Sequence, residues 1–329
     1  MEHAEIVIIG AGWSGLTAAS CLAAAGREVV VVEKSRGPGG RSATRREGDW
    51  RFDHGAQYFT ARDPGFAEQV RQWQADGLVA DWHPRLKQFG PRPAISGQSP
   101  DVRLVARPGM NAVLHALSLQ LDCRWGWRAE SLSWQSGWTI RADDGRKLSA
   151  DALVITAPPE QSAALLGAED SMTAALSEVN MAPCWALMLG YDKPLSLAFD
   201  AAFVNQGPLS WIARNGSKPG RSGESWVVHA GPEYSSRQLE QPAEQVAAEL
   251  LDAFVGLTGT EQIRPAFSRL HRWRYALASD PLEVGCLHDA GRRLVLAGDW
   301  CAGNRIEGAW LSGRAAADRL LARGVDQTS

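Results

Sequence analysis

The sequence predicts an α/β fold, with a second domain of α+β type. Two continuous apolar runs, residues 5–10 (EIVIIG) and 29–34 (VVVVEK), flank an Ala- and Leu-rich segment at 13–25. Apolar runs without polar alternation are typical of strands buried in a parallel sheet, and a helix between two of them makes a βαβ unit. A similar strand and helix occur near the end of the chain, in "RRLVLAGDWCAGNRIEGAWLSGRAAADRLL". Both ends of the chain therefore carry elements of the same kind.

Between these ends the pattern of the chain changes. The segments follow in order as a Gly- and Arg-rich loop at 35–62, a helix at 64–82, a Pro- and Gly-rich connection at 84–100, a loop and helix at 107–121, an Asp-Gly hairpin turn at 144–145 and a buried strand at 150–159. Residues 160–285 mix strands and helices without glycine-rich turns. We therefore predict two domains, the first made of residues 1–62, 101–160 and 286–329, and the second of 63–100 and 161–285.

The composition is that of an ordinary globular chain. Of 329 residues, 45% are apolar and 22% charged, and the formal net charge of -3 gives no electrostatic reason to expect nucleic acid or an anionic membrane as a partner. The five cysteines form no C-x-x-C pair, which argues against a zinc site or a disulfide framework and is typical of the cytoplasm. We expect no bound metal, no membrane span and no secretory signal, because no apolar run is long enough to span a bilayer and the N-terminus is acidic.

A glycine-rich turn follows the first predicted strand. Gly10, Gly12 and Gly15 form the pattern G-x-G-x-x-G directly before the first helix. In such a turn the first glycine permits the bend, the second lets a pyrophosphate approach the backbone, and the third lets helix and strand pack closely. Glu33 ends the second strand, where a carboxylate can accept both hydroxyl groups of an adenosine ribose. These features predict a Rossmann-like domain that binds the ADP part of a dinucleotide.

ADP occurs in both FAD and NAD, and two other segments favour FAD. In "GPGGRSATRR", Gly39 and Gly40 keep the backbone slim and Arg41 can neutralise a phosphate. Near the C-terminus, Asp299 stands where the "LAGD" strand ends and can bind polyol hydroxyl groups. The helix that begins in "RIEGAW" can direct its positive N-terminal end at the flavin pyrimidine carbonyl. An NAD dehydrogenase has no need of this second strand–helix element, so we predict FAD.

Four motifs together resemble the FAD-containing amine oxidase superfamily and, within it, the renalases. They are GAGWSG with Glu33, GGRSAT, "FDHGAQYFTAR" at 52–62 and AGDWCAGNRIEGAWLSG. The most specific piece is D-x-GAQY-x-T, from Asp53 to Thr60, and shorter agreement comes from "APPEQ", "VVHAG" and "HRWRYA". The likeness spans almost the whole chain, although the middle third matches only at short motifs. It implies the fold of amine oxidases and p-hydroxybenzoate hydroxylase, in which a mixed-sheet substrate domain covers the flavin ring of a Rossmann-like FAD domain.

The resemblance also implies roles for individual residues. The residues expected to bind FAD, without a covalent link, are Gly10, Ala11, Gly12, Trp13, Ser14, Gly15, Glu33, Lys34, Gly40, Arg41, Ala56, Gln57, Tyr58, Ala129, Asp299 and Ile306. Their expected partners are the pyrophosphate for Ala11, Gly12 and Ser14, the ribose for Glu33, the phosphates for Arg41, the isoalloxazine for Gln57 and Tyr58, the adenine side for Ala129, the ribityl chain for Asp299 and the pyrimidine end for Ile306.

The renalase likeness implies oxidation of misreduced NADH or NADPH, with the hydride on C2 or C6 of the pyridine ring. Oxidation restores aromaticity, so the hydride can pass to flavin N5 without a protein base, and dioxygen then yields hydrogen peroxide. Catalysis would rest on positioning, with no catalytic side chain. The candidate substrate-binding residues are Tyr58, Thr60, Arg62, Ile95, Ser96 and His229, the last as a donor to the nicotinamide carboxamide. Five tryptophans could line the pocket or belong to the core: Trp185, Trp211, Trp226, Trp273 and Trp310.

Two other functions remain open at this point. The first is an oxidase or desaturase of an amine or another small substrate, built on the same fold. Many amine oxidases hold the flavin through a cysteine near the C-terminus, but neither Cys286 nor Cys301 has that sequence context. The second is a flavin-binding redox sensor without turnover. Fold alone does not separate these functions, since one fold supports many chemistries.

Overall fold

The structure is a computed structural model, and it describes residues 1–91 and 102–322; Ile95 and Ser96 lie outside these ranges. The strands are β1 (Glu2–Ile9), β2 (Val29–Glu33), β3 (Thr44–Glu47), β4 (Trp50–Asp53), β5 (Val79–Trp82), β6 (Leu86–Phe89), β7 (Arg103–Ala106), β8 (Asp122–Trp125), β9 (Ala129–Trp134), β10 (Trp138–Ala142), β11 (Lys147–Ile155), β12 (Met181–Tyr191), β13 (Ala201–Val204), β14 (Leu209–Arg214), β15 (Glu224–Ala230), β16 (Phe267–Ala278), β17 (Leu287–Asp289) and β18 (Leu294–Leu296). The helices are α1 (Trp13–Ala24), α2 (Pro64–Ala75), α3 (Ala112–Ser118), α4 (Pro159–Leu166), α5 (Thr173–Ser177), α6 (Pro232–Arg237), α7 (Ala243–Thr258) and α8 (Ile306–Leu321).

The chain divides into two compact units, each discontinuous in sequence. The first unit comprises Met1–Gly40, Leu114–Met181 and Leu277–Ser329, and the second comprises Arg41–Val113 and Ala182–Ala276. These boundaries differ from the predicted ones, which followed changes of composition along the chain. The predicted first domain extended to residue 62, but the β3–β4 hairpin belongs to the second unit. The reason is packing, since Phe52 of β4 is fully buried against Met188 and Val227 of the second unit.

The first unit is built on a mainly parallel sheet with the strand order β17-β18-β11-β1-β2-β8. β1 pairs in parallel with β2 and with β11, and β11 pairs in parallel with β18. β9 and β10 extend this sheet as antiparallel strands from β11. Because parallel strands end at the same edge, the loops that follow Ile9, Glu33, Ile155 and Leu296 gather at one edge of the sheet. The α/β architecture predicted from both ends of the chain is confirmed.

The second unit contains a six-stranded sheet with the order β16-β12-β15-β14-β13-β6. Its strands are mostly antiparallel, with β15 between β12 and β14. One face is packed by α7, whose Val246, Leu250 and Phe254 are fully buried. Trp226 is also fully buried in this core, which makes it a packing residue. The unit also holds the hairpin β3–β4 and the antiparallel pair β5–β7.

Two predictions of local structure were wrong. The helix predicted over residues 64–82 ends at Ala75, and β5 begins at Val79. Gly77, with φ of 72°, reverses the chain between them, and the amphipathic pattern of 64–75 had concealed this turn. The predicted loop at 35–62 contains the β3–β4 hairpin, whose Arg-rich strands lack an apolar pattern. Within the described ranges, no helix has the length and apolar character that crossing a bilayer requires.

Candidate functional site

The glycine-rich turn of the first unit joins β1 to α1 as predicted. Gly10 has a φ of 109°, a conformation that glycine adopts without strain. A Cβ atom on Gly15 would overlap the carbonyl oxygen of Gly10, so the helix can pack against the end of β1 only with glycine at this position. The Thr156 hydroxyl, which follows β11, donates to the carbonyl of Ile9 at 2.9 Å and fixes the turn from the neighbouring strand.

Gly12 lies at the N-terminal end of α1 and has a different environment. A Cβ atom built on it would meet nothing within 4 Å, so its side faces open space rather than protein. The first N–H groups of α1 have no partners within the helix, and the helix dipole makes this end positive. An open approach to unpaired N–H groups is what a bound pyrophosphate requires. The turn therefore fits the ADP part of FAD.

Glu33 ends β2 beside this turn and is 8% exposed. One of its carboxylate oxygens accepts from Ala11 N at 2.9 Å, and the other accepts from Ser35 N at 2.8 Å. Each carboxylate oxygen can accept more than one hydrogen bond, so both keep capacity for ribose hydroxyl groups. The backbone contacts fix the rotamer of the side chain. Glu33 is thus held in place by the same loop that is expected to bind the pyrophosphate.

The C-terminal segment returns to the same edge of the sheet. Asp299 follows β18 in a short 3-10 turn and is 5% exposed, and its carbonyl accepts from Asn304 N at 2.9 Å. α8 begins seven residues later with Ile306. The Ser14 hydroxyl of α1 donates to the Ala309 carbonyl of α8 at 2.7 Å, which joins the N-terminal parts of the two helices. The structure therefore places the Gly10–Gly15 turn, Asp299 and the start of α8 at one end of the first unit.

The other predicted cofactor residues of the first unit differ in burial and in their contacts. Trp13 is the first residue of α1 and is buried, whereas Lys34 is exposed and donates to Gln161 at 3.0 Å. Gly40 lies close to Gly12, since a Cβ on it would stand 3.7 Å from Gly12 Cα. Ala129 opens β9, two residues after Trp127, whose N–H donates to the Glu33 carbonyl at 2.9 Å. Their contacts with FAD stay predictions.

The most specific motif, D-x-GAQY-x-T, is organised around a buried ionic cluster in the second unit. Asp53 is fully buried, with Lys218 Nζ at 3.1 Å and Arg221 Nη2 at 2.7 Å from its Oδ2. Its Oδ1 accepts from the Thr44 hydroxyl at 2.7 Å and from Met110 N at 3.0 Å. Burial opposes ionisation of Asp53, but the two cations and the hydrogen bonds outweigh it and hold its pKa well below the usual range.

Lys218 links this cluster to Gln57. Its Nζ donates to Asp53 Oδ2, to Gln57 Oε1 at 3.2 Å and to Asn215 Oδ1 at 3.3 Å. Burial lowers the pKa of Lys218 to about 8 against the pull of Asp53, so the side chain is an ammonium ion at neutral pH. The Gln57 amide nitrogen donates to the carbonyls of Asp53 and Gly55. Both ends of the Gln57 side chain are thus engaged inside the unit.

Sequence reasoning had assigned no role to Asp53, Lys218, Arg221 or Asn215. Asp53 is the first residue of the D-x-GAQY-x-T motif, and its place in that motif is the one sequence feature that indicates its importance. Lys218 and Arg221 lie in "SKPGR", a segment that has the composition of a surface loop. Nothing in that composition indicates that both side chains are fully buried. The pairing spans more than 160 residues, and only the folded chain shows it.

His229 is half-buried on β15 and is held by the backbone. Its Nε2 lies 3.1 Å from the carbonyl oxygen of His54, which also accepts from Trp273 Nε1 at 2.9 Å. Burial lowers the pKa of His229 to about 4, so the ring is neutral at pH 7. Because Nε2 must carry the proton that it donates, Nδ1 is left as an acceptor. In this arrangement Nδ1 can accept from an amide N–H, and the predicted donation to the nicotinamide carboxamide stays a prediction.

In the extended segment after Gln57, buried and half-buried side chains alternate. Phe59 is buried and pairs with Leu104 of β7 through two backbone hydrogen bonds of 2.9 and 2.8 Å, whereas Tyr58 and Thr60 are half-buried. Arg62 is exposed. Arg41 donates to the Ala276 carbonyl at 3.1 Å, and its own carbonyl accepts from Ala56 N at 2.9 Å. The roles of these residues toward flavin and substrate stay predictions.

The fold, the glycine turn and its carboxylate define a dinucleotide-binding protein of Rossmann-like architecture. The chain belongs to the family of flavin containing amine oxidoreductases, whose pattern it matches over residues 85–321, more than half of its length. Residues 8–84 match the NAD(P)-binding Rossmann-like domain. FAD is therefore the cofactor, as predicted. The family match does not distinguish the renalases from other members.

Individual relatives agree with this assignment. All-trans-retinol 13,14-reductase of Macaca fascicularis is 34% identical over 88 residues, which are 27% of this chain and 14% of that protein. L-amino acid oxidase Cdc18 of Crotalus durissus cumanensis is 40% identical over 69 residues, which are 21% of this chain and 14% of that protein. Each match thus covers only a small part of the relative's length.

Two solved structures share the fold over nearly the whole chain. The "Putative protoporphyrinogen oxidase" from Exiguobacterium sp. 255-15 has a TM-score of 0.78 at 13% identity, with 97% of this chain and 99% of that chain covered. A putrescine oxidase mutant has a TM-score of 0.73 at 15% identity, with 98% and 100% covered. Identities this low show the fold alone.

Proposed function

We propose that the protein is a renalase-like oxidase of the 2- and 6-dihydro isomers of NADH and NADPH. The substrate loses a hydride and becomes the aromatic NAD⁺ or NADP⁺. When bound, FAD supplies the hydride acceptor at N5 and returns the electrons to dioxygen, which forms hydrogen peroxide. The proposal takes the resemblance of the D-x-GAQY-x-T segment as its starting point and rests on the engagement of the polar groups around that segment.

The observation that carries the proposal is that the three polar side chains nearest this segment, Gln57, Lys218 and His229, offer no strong proton acceptor. Lys218 is an ammonium ion that donates to three acceptors, and both ends of the Gln57 amide are bonded. The neutral His229 ring, with a pKa of about 4, is too weak a base to deprotonate an ammonium group. Oxidation of an amine requires the neutral amine, whereas a dihydropyridine gives up its hydride without losing a proton. A site of this kind therefore suits a substrate that becomes aromatic.

We further propose that FAD is held without a covalent bond. Cys301 and Cys286 are the cysteines nearest the C-terminal end, and both are buried. Burial raises the pKa of each thiol, so both stay protonated and unreactive at neutral pH. Denaturation of the holoenzyme should therefore release all of the flavin into solution.

A steady-state assay under air tests the proposed reaction. Hydrogen peroxide formation is measured with a partially reduced NAD mixture that contains the 2- and 6-dihydro isomers, with ordinary NADH and with a panel of primary amines. We expect peroxide and NAD⁺ in equal amounts from the isomer mixture, and little turnover from the others. Turnover of an amine instead would move the function to amine oxidation, and no turnover with any reductant would favour a flavin-binding sensor.

A further inference from the structure

Three aromatic rings of the second unit form a cluster next to the motif segment. The ring centroid of Tyr58 lies 6.2 Å from that of Trp82 and 5.7 Å from that of Trp211, and the two tryptophan rings are 6.5 Å apart. Trp82 and Trp211 are almost fully buried, whereas Tyr58 is half-buried. Phe203 packs on Trp211 at 4.7 Å and is 39% exposed. We call Tyr58, Trp82 and Trp211 the aromatic cluster.

Two cations lie over rings of the aromatic cluster. Arg103 Cζ is 5.3 Å from the centre of the Tyr58 ring, and Lys218 Nζ is 5.5 Å from the centre of the Trp82 ring. The strand pairing fixes one of these relationships, because Trp82 and Arg103 are directly opposite each other in the β5–β7 ladder. The positive charges are therefore part of the architecture of the cluster rather than mobile surface groups.

The charges around the cluster do not balance. Asp53 is the carboxylate that compensates Lys218, and it is shared with Arg221, so two cations meet one anion. In the described part of the chain, no carboxylate forms an ion pair with Arg103. Buried and half-buried charge is costly unless it is paired. The cluster therefore carries an excess of positive charge that an anion would relieve.

Unused hydrogen-bond donors occur in Arg103, in Trp211 and in Asn215, which is bonded to Lys218. Arg103 Nε, Trp211 Nε1 and Asn215 Nδ2 are buried nitrogen atoms without a hydrogen-bond partner among residues 1–91 and 102–322. The Asn215 side chain is oriented by its other end, whose Oδ1 accepts from Asp53 N at 3.0 Å and from Lys218 Nζ. Three unpaired donors suit a ligand that presents hydrogen-bond acceptors.

We infer that the aromatic cluster, Arg103 and Lys218 form a recognition site for a planar ligand that carries negative charge. The half-buried Tyr58 ring supplies the stacking surface above the two buried tryptophans, and Arg103 and the free donors supply the charge preference. An ammonium group of similar shape would meet like charge. This inference deepens the proposed function, on which it rests, because it makes Arg103 a residue that selects an anionic dinucleotide over an amine.

A pair of planar probes with opposite charge tests the inference without any turnover. The holoenzyme is titrated by calorimetry with 2-naphthoate and with 2-naphthylmethylamine, which share one ring system. The same titrations are made on Arg103→Met, which keeps the aliphatic stem, on Arg103→Lys, and on Arg264→Met as a control at an exposed arginine. We expect 2-naphthoate to bind more tightly than the amine. Arg103→Met should weaken the binding of 2-naphthoate about tenfold, because one charged hydrogen bond is lost.

The expected pattern has further parts that a merely structural role would not produce. Arg103→Lys should recover part of the affinity for 2-naphthoate, Arg264→Met should leave it unchanged, and Arg103→Met should not weaken the amine. The inference is overturned if the amine binds more tightly, or if Arg103→Met leaves the affinity for 2-naphthoate unchanged. Equal weakening of both probes, which would indicate a disturbed structure, also overturns it. Because neither probe is oxidised as a dihydropyridine, a failure of the proposed reaction shows separately, in the peroxide assay.

Discussion

Lys218 Nζ lies 3.1 Å from Oδ2 of Asp53, and neither side chain has any exposed surface. This contact gives the D-x-GAQY-x-T motif a physical meaning, because it fixes the first residue of the motif and, through Gln57, its middle. The carboxylate also receives Arg221, so the motif segment is anchored by two cations that arrive from a distant loop. The motif is therefore a structural element of the second unit, stabilised by its buried ion pairs.

Replacing the buried carboxylate should be strongly destabilising. Asp53→Asn leaves Lys218 and Arg221 as buried cations without an anion, which we expect to cost about 3–5 kcal/mol in the free energy of unfolding. Urea denaturation of the variant measures this cost. The control is Asp144→Asn, which removes an exposed partner of Arg146 and should change stability little. A loss at Asp53 no larger than at Asp144 would contradict the account of the cluster.

Replacing Gly15 should lower the stability of the protein, whereas replacing Gly12 should lower its affinity for FAD. Gly15→Ala forces a Cβ onto the Gly10 carbonyl, so we expect a loss of about 1–3 kcal/mol in stability. Gly12→Ala meets no protein atom within 4 Å, and the variant should fold normally. Its methyl group would occupy the approach to the pyrophosphate, so FAD affinity should fall at least about tenfold, near 1.4 kcal/mol. Thermal unfolding and flavin titration of the apoproteins separate the two effects, and full FAD affinity in Gly12→Ala would contradict the predicted role.

Glu33 should govern retention of FAD. Glu33→Ala removes the acceptor expected for the ribose and also releases Ala11 N at the turn. Loss of hydrogen bonds to a charged acceptor should weaken FAD binding by about 1.5–3 kcal/mol. Flavin content after dialysis measures this, with Glu28→Ala, an exposed acid at the start of β2, as the matched control. Equal flavin content in the two variants would remove Glu33 from the site.

Two histidines with a lowered pKa, His54 and His229, should make the protein acid-sensitive. Burial lowers the pKa of His229 to about 4, whereas in the unfolded chain it titrates near its ordinary value of 6.5. Between these values the unfolded state binds more protons, so the stability that is full above pH 6.5 falls as the pH drops toward 4. His229→Gln should reduce this slope by up to about 1.4 kcal/mol per pH unit. Unfolding free energies measured from pH 4 to 7 test this, and an unchanged slope would show that His229 does not titrate differently on folding. His54, also lowered by burial to a pKa of about 4, should keep a residual slope in the variant.

The first unit could be predicted in detail because its signals are local. The apolar runs of β1 and β2, the spacing of Gly10 and Gly15 and the acid at Glu33 lie within one short stretch, and each has a single physical explanation. The return of the C-terminal segment to the same sheet was also predicted, since its strand and helix repeat the pattern of the N-terminal one.

The second unit could not be predicted in this way, because its essential contacts join distant residues. The sequence around Lys218 is typical of a surface loop, and only the folded chain brings this lysine into contact with Asp53. The sequence around Arg103 likewise gives no sign of its contact with the Tyr58 ring. His229 was found through a motif, but its hydrogen-bond polarity depends on the His54 carbonyl, which only the structure supplies. Likewise, α2 ends at Ala75, two residues before Gly77, whereas the amphipathic pattern predicted a helix up to residue 82.

Anaerobic mixing shows whether a misreduced pyridine nucleotide reduces the flavin. The holoenzyme is mixed without oxygen with the 2- and 6-dihydro isomer mixture, with ordinary NADH or with primary amines, and the flavin absorbance is followed. We expect rapid bleaching by the isomer mixture alone, with peroxide released when air is admitted. Bleaching by an amine, or an unbleached flavin with all three reductants, would contradict this expectation.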